Sequence, residues 1–179
     1  ALILGAYSAW RSRNLSASLF PSGLVLRRGR KVREIPWQEI ASLRLHGSWG
    51  SLPLLESGSP RVLEIRTQQG HEIRLTRELE EFEKLVESIK AKVYPRMHRA
   101  LASSFNQGQS LGFGPLTLAP AGLKYRGETT RWAQISSAYL RAGKVIISRT
   151  DGEKIRLPAS KIPNADLCLQ MMESVVKNQ

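Results

Sequence analysis

The sequence predicts an α+β, mainly β protein built from two copies of one small module in tandem, each closed by a helix. Three observations predict it. An internal repeat covers most of the chain, hairpin signals stand at matching places in both copies, and an amphipathic helical pattern ends each copy.

Laid on itself, the chain aligns residues near 18–93 with residues near 115–176. Leu19-Phe20-Pro21-Ser22-Gly23-Leu24 matches Leu118-Ala119-Pro120-Ala121-Gly122-Leu123. Trp37 with Ile40 then matches Trp132 with Ile135, and Ile65, Gly70 and Ile73-Arg74-Leu75 match Ile147, Gly152 and Ile155-Arg156-Leu157. The shared positions Gly23, Trp37 and Gly70 and their counterparts Gly122, Trp132 and Gly152 are therefore read as structural.

Each shared element has a local cause. Proline fixes φ and glycine admits positive φ, so Pro21-Ser22-Gly23 and Pro120-Ala121-Gly122 turn one strand into the next. Apolar and polar residues alternate on both sides of Gln68-Gln69-Gly70 and of Thr150-Asp151-Gly152, which predicts a hairpin in each copy. From Glu78 to Val93 the apolar residues Leu79, Phe82, Leu85, Val86, Ile89 and Val93 recur at three and four, and Asp166 to Val176 repeats the pattern. Pro163-Asn164 marks a start for the second helix. The expected organisation is an apolar N-terminal segment over 1–13, a first domain over 14–95, a linker over 96–110 and a second domain over 111–179; the alternative is that the first helix runs on past Pro95, and the polar stretch around Gly108 is the best-marked part of the linker. The stretch Gly47 to Pro60, dense in Gly, Ser and Pro, has no counterpart in the second copy. It reads as a surface loop or a docking element.

Residues Ala1 to Trp10 are almost wholly apolar and are followed by Arg11 and Arg13. This run is shorter than the ~20 residues a bilayer crossing needs. Its order nevertheless suits the end of a longer transmembrane helix leaving the bilayer on the cytoplasmic side, with Tyr7, Trp10, Arg11 and Arg13 at the interface. The other reading is a helix that packs on the domain. A secretory signal is not indicated, because the arginines follow the apolar run.

The chain of 179 residues carries 27 Lys and Arg against 15 Asp and Glu, a net charge of +12. Residues 1–100 hold 17 of these cations and 10 of the acids, and the remainder hold 10 and 5, so both halves are basic. Such a surface favours anionic partners: a membrane leaflet, an acidic protein or nucleic acid. The single cysteine, Cys168, falls in an apolar helical pattern, so a core thiol in an intracellular protein is expected. His46, His71 and His98 lack metal-ligand spacing, Asp151 and Asp166 are explained by a turn and a helix start, and Gly108, Gly112 and Gly114 are not followed by Gly-Lys-Ser or Gly-Lys-Thr. No enzyme, metal or cofactor is expected. Nucleic-acid binding is the weaker alternative, since no groove-entering helix or aromatic base platform is apparent.

Several short strands, a tryptophan leading into a central strand and one C-terminal amphipathic helix together resemble the pleckstrin-homology-like (PH-like) fold. The resemblance implies, in each copy, a bent antiparallel sheet or partly open barrel capped by that helix. Phe113-Gly114-Pro115-Leu116-Thr117, Gly122-Leu123, Arg131-Trp132-Ala133-Gln134-Ile135, Gly143-Lys144 and Ile162-Pro163-Asn164 are similar to the blocks of a bacterial family of unknown function built from such repeats. In lipid-binding members of the PH-like fold, the first hairpin meets the headgroup. The resemblance therefore implies a membrane-facing site at Arg27, Arg28, Arg30, Lys31 and Arg33, the cations of the predicted first hairpin. Each is worth roughly 1 kcal/mol near an anionic leaflet before screening. The other reading is a solvated turn whose charge discourages edge pairing. The second copy offers only Lys124, Arg126 and Arg131 there.

Two functions follow as expectations. In the first, the modules are a non-enzymatic scaffold on the cytoplasmic side of a membrane, binding a protein partner or a membrane complex. In the second, they are a peripheral sensor of anionic lipid headgroups through the basic hairpin.

Overall fold

The computed structural model describes residues 8–11, 15–47 and 60–177. The chain divides into two compact units, Ala1–Leu43 with Arg61–Val93 and Arg44–Pro60 with Tyr94–Gln179. Among the described residues, four small antiparallel sheets and two helices make the protein α+β, mainly β.

The first run of elements begins with β1 (Ser8–Arg11), β2 (Leu15–Leu19), β3 (Gly23–Arg28) and β4 (Lys31–Pro36), paired in that order as one sheet. A 3-10 turn, Trp37–Glu39, leads into β5 (Ile40–Gly47), β6 (Pro60–Thr67) and β7 (Glu72–Thr76), a second sheet in the order β5-β6-β7. Helix α1 (Phe82–Asn106) follows. Alternation along the strands buries Leu24, Ile35, Ile40, Leu63, Ile65 and Leu75, and the three-four spacing on α1 buries Phe82, Leu85, Val86, Ile89 and Val93. Each such side chain removed from water contributes about 2 kcal/mol.

The second run repeats the order. Strands β8 (Leu111–Phe113), β9 (Leu116–Ala119), β10 (Gly122–Tyr125) and β11 (Glu128–Thr130) form one sheet. After the 3-10 turn Trp132–Gln134, β12 (Ile135–Arg141), β13 (Lys144–Arg149) and β14 (Lys154–Pro158) form another, and α2 (Ala165–Lys177) closes the run. Its core holds Phe113, Leu116, Leu118, Trp132, Val145, Ile147, Leu167 and Met172, with Phe105 of α1 edge-on to Trp132 at 6.4 Å.

The alignment of the two copies extends to individual hydrogen bonds. Trp37 Nε1 donates to the Phe20 carbonyl at 3.0 Å, and Trp132 Nε1 to the Ala119 carbonyl at 2.9 Å. The Thr67 N–H donates to the His71 carbonyl and the Gln68 N–H to the Glu39 carbonyl; the matched pairs are Arg149 to Glu153 and Thr150 to Gln134. A Cβ added at Gly23 would stand 2.4 Å from the Ile35 carbonyl oxygen, and one at Gly122 would stand 2.2 Å from that of Thr130. Glycine and tryptophan are thus not incidental repeats: the glycine lets the turn close, and the indole ties the following strand to it.

Three expectations differ from what is observed. Residues Ser8–Arg11, expected within a helical N-terminal segment, form β1 and pair with β2, Trp10 opposite Ala17 and Arg11 opposite Ser16. Most of the expected linker over 96–110 is helix, the alternative in which the first helix runs on past Pro95: α1 continues to Asn106. The missing N–H of Pro95 breaks only one bond of the ladder, and buried residues on both sides, Val93 and Met97, hold the helix in place. The first helix starts at Phe82 instead of Glu78, and Glu81 precedes it at φ 51°, as Asn164 precedes α2 at φ 52°. Tyr7, Arg13 and most of the Gly47–Pro60 stretch lie outside the described residues.

Candidate functional site

The five cations of Arg27–Arg33 lie on one β hairpin, and its register sorts them. Strands β3 and β4 pair Leu24 with Ile35, Leu26 with Arg33, Arg27 with Val32 and Arg28 with Lys31, around a turn at Gly29 and Arg30 where Gly29 has φ 58°. Cross-strand partners share a face and neighbours along a strand do not. Arg28, Lys31 and Arg33 therefore continue the buried face of Leu24, Leu26 and Ile35, whereas Arg27 and Val32 share the opposite face and Arg30 sits at the tip. Val32 is 51% exposed, an unusual position for a β-branched apolar residue. The hairpin joins the third and fourth strands of its sheet, so the expectation of a first hairpin is corrected by the strands before it.

The three cations on the buried face open onto a groove of about 1270 Å³ within the first unit. Leu26, Ile73 and Leu75 form its apolar floor, Arg28, Lys31 and Arg33 one side, and β7 the other. Glu72 and Glu78 are its carboxylates, and Arg74 reaches Glu64 at 3.4 Å. Among the described residues, none of the five hairpin cations makes an ion pair. Arg28 opposite Lys31 is a like-charge cross-strand pair, which costs stability. An arrangement that weakens the hairpin while concentrating positive charge at a groove suits an anionic ligand.

The second copy lacks this arrangement. From Leu123 opposite Thr130, its hairpin reaches the Arg126-Gly127 turn after only Lys124 opposite Thr129 and Tyr125 opposite Glu128. It is two residue pairs shorter, and Glu128 stands where the first copy has Arg33. Lys124 faces away from the core beside Thr129, and Arg126 lies over the Tyr125 ring at 5.1 Å. The Arg131 backbone N–H donates to Gln134 Oε1 at 3.1 Å.

Other groups with chemical potential are engaged structurally. Burial pushes the Cys168 thiol up to about 12, so it stays protonated and unreactive at neutral pH. Asp151 pairs with Arg149 at 2.8 Å and accepts from the Glu153 N–H at the β13–β14 turn. Among the described residues no group of three His, Cys, Asp or Glu could hold a metal ion, and no helix is long and apolar enough to cross a membrane. The sequence marks His71 only as a histidine without metal-ligand spacing and Ile73-Arg74-Leu75 only as repeat positions; that they line a groove with the basic hairpin depends on a contact between distant parts of the chain.

No curated protein matches the chain. The model of a family of unknown function, DUF6585, matches residues 1–179, and the chain belongs to that family.

Proposed function

We propose that this chain is a non-enzymatic interaction module of two PH-like domains, serving as a scaffold on the cytoplasmic face of a membrane. Two supports underlie the domain assignment. Each run holds a four-stranded sheet, a 3-10 turn opening on tryptophan, a three-stranded sheet and a helix, the content of a bent, partly open barrel capped at its end. The tryptophan bonds recur in both runs.

The observation that carries the functional reading is the groove of the first unit, with an apolar floor and a cationic wall. Binding sites combine apolar surface with a few placed polar groups, and this groove does so. A second reading has its own support: five cations on one hairpin, none of them in an ion pair among the described residues, suit anionic lipid headgroups, with Lys124, Arg126 and Arg131 a weaker secondary site.

Photo-crosslinking separates the two. A benzoylphenylalanine placed at Val32 of the full chain, in its native cell, is expected to give a protein adduct that the same group at Ser137 does not. Flotation of the full chain with anionic and neutral vesicles, at low and at physiological salt, tests the second reading. Salt-sensitive flotation on anionic vesicles with no protein adduct at Val32 would overturn the scaffold in favour of lipid sensing.

A further inference from the structure

The groove is bounded by two strand edges. Residues alternate between faces along a strand, so consecutive residues can line one groove only along its edge. His71, Glu72, Ile73, Arg74, Leu75 and Thr76 all line it, as do Lys31, Val32 and Arg33. Strand β7 ends the order β5-β6-β7 and β4 ends the order β1-β2-β3-β4.

The register identifies which backbone groups face the groove. The Thr67 N–H donates to the His71 carbonyl and the Arg77 N–H to the Arg61 carbonyl. In antiparallel alternation the intervening bonded pairs are Ile65 with Ile73 and Leu63 with Leu75. The N–H and C=O of Glu72 and Arg74 consequently point away from β6, into the groove. On β4, the Trp37 N–H bonded to the Ser22 carbonyl sets the same alternation, so Val32 and Glu34 direct their backbone groups outward.

We infer that this groove accepts an extended acidic segment of a partner protein as an added strand on the edge of β7. The inference rests on the interaction reading and gives the partner a chemistry. Backbone pairing at Glu72 and Arg74 supplies hydrogen bonds that any sequence can make. The side chains of an added strand alternate. One set meets the floor at Leu26 and Ile73 and is apolar; carboxylates elsewhere on the segment meet Arg28, Lys31 and Arg33. The charge decides the class of partner, since a basic segment would meet three cations across the groove. β7 has five residues, about 17 Å of edge at ~3.4 Å per residue, which sets the segment at five or six residues. The exposed cations beside β4 also keep the edge from pairing indiscriminately with another copy of this chain.

The test uses the full chain labelled for amide NMR and a capped octapeptide alternating Glu and Val, at physiological salt. Saturable binding is expected, with hydrogen exchange slowed at the Glu72 and Arg74 amides. The same peptide N-methylated at alternate residues keeps its charge and loses the strand bonds, and should bind at least tenfold more weakly. A Lys-Val peptide should not bind, and the Arg28→Ser/Arg33→Ser double variant, altered only at exposed positions, should weaken binding at least tenfold. Equal binding of the N-methylated peptide, or unchanged exchange at Glu72 and Arg74, overturns strand addition. Shifts at Arg28 to Arg33 produced by phosphatidylserine vesicles, with none produced by the peptide, also overturn it and assign the cations to lipid. Failure of the peptide alongside a protein adduct at Val32 removes this inference and leaves the scaffold; failure of both removes both.

Discussion

Lys31→Glu should stabilise the hairpin on which it lies. Lys31 lies directly opposite Arg28 next to the turn, and both are exposed. A like-charge cross-strand pair costs about 0.2–1 kcal/mol, and an opposite-charge pair returns a similar amount. The swing is therefore about 0.4–2 kcal/mol, and solvent screening of exposed groups places it in the lower half, near 1 kcal/mol. That is roughly a fivefold change in a local opening equilibrium. Native-state hydrogen exchange at the Leu26 and Arg33 amides reads it, because these residues form the next bonded pair and are not themselves altered. With intrinsic rates corrected, both amides should exchange about fivefold more slowly at low salt, where the screening length is ~30 Å, and the gain should largely vanish at 1 M salt, where it is ~3 Å. Faster exchange at low salt would refute the reasoning. It would mean that Lys31 is held by the groove carboxylates Glu72 and Glu78 more than it is repelled by Arg28.

Three further outcomes follow from packing and burial. Gly122→Ala and Gly23→Ala drive a Cβ into a backbone oxygen of the paired strand and should each cost about 2–3 kcal/mol in urea unfolding; Gly29→Ala, at φ 58° in open space, should cost only about 1 kcal/mol. Equal losses at Gly122 and Gly29 would remove the steric account. Trp132→Phe leaves the buried Ala119 carbonyl without its donor and should cost about 1–3 kcal/mol, more than Trp37→Phe, whose bond is only partly buried; thermal unfolding of the two variants ranks them. Cys168 should resist thiol reagents at pH 8 until the protein unfolds. Its folded pKa, about 12, exceeds its ordinary 9.0, so this contribution to stability is intact below pH 9 and is lost progressively as pH rises towards 12; Cys168→Ala should lack that pH-dependent loss between pH 9 and 11.

Local signals were legible and distant ones were not. The turn glycines, the tryptophans and the helix faces are set by neighbours within a few residues, so period and turn chemistry revealed them. Ser8–Arg11 misled because four residues carry too little periodicity to distinguish strand from helix, and their pairing with Leu15–Leu19 decides the matter. Pro95 left the end of the first helix open, and the apolar residues buried on either side of it outweigh its one missing N–H. The basic run was visible, and so was the glycine at its turn. Counting outward from a two-residue turn at Gly29-Arg30 would have sorted its cations by face, placing Arg28, Lys31 and Arg33 together. The opposing wall was out of reach, because nothing local to His71–Thr76 reports what faces it.

The comparison of the two copies separates what the fold requires from what a site adds. Bonds such as Trp37 to Phe20 and Trp132 to Ala119 occur in both, as do the paired turns that close the hairpins, so they answer a demand of the fold. The extra residue pairs of the first hairpin occur once, and they bring Arg27 opposite Val32 and Arg28 opposite Lys31. Neither pair is needed to close a sheet, since β10 and β11 close without them. One leaves an apolar side chain in water and the other opposes two cations, so both work against folding. The second copy also carries Glu128 in place of Arg33, which reverses the charge at the one position of the three that both hairpins retain. A feature that burdens stability in one copy and is absent or reversed in the other is not a demand of the fold, and it is the pattern expected if the proposed site belongs to the first copy alone.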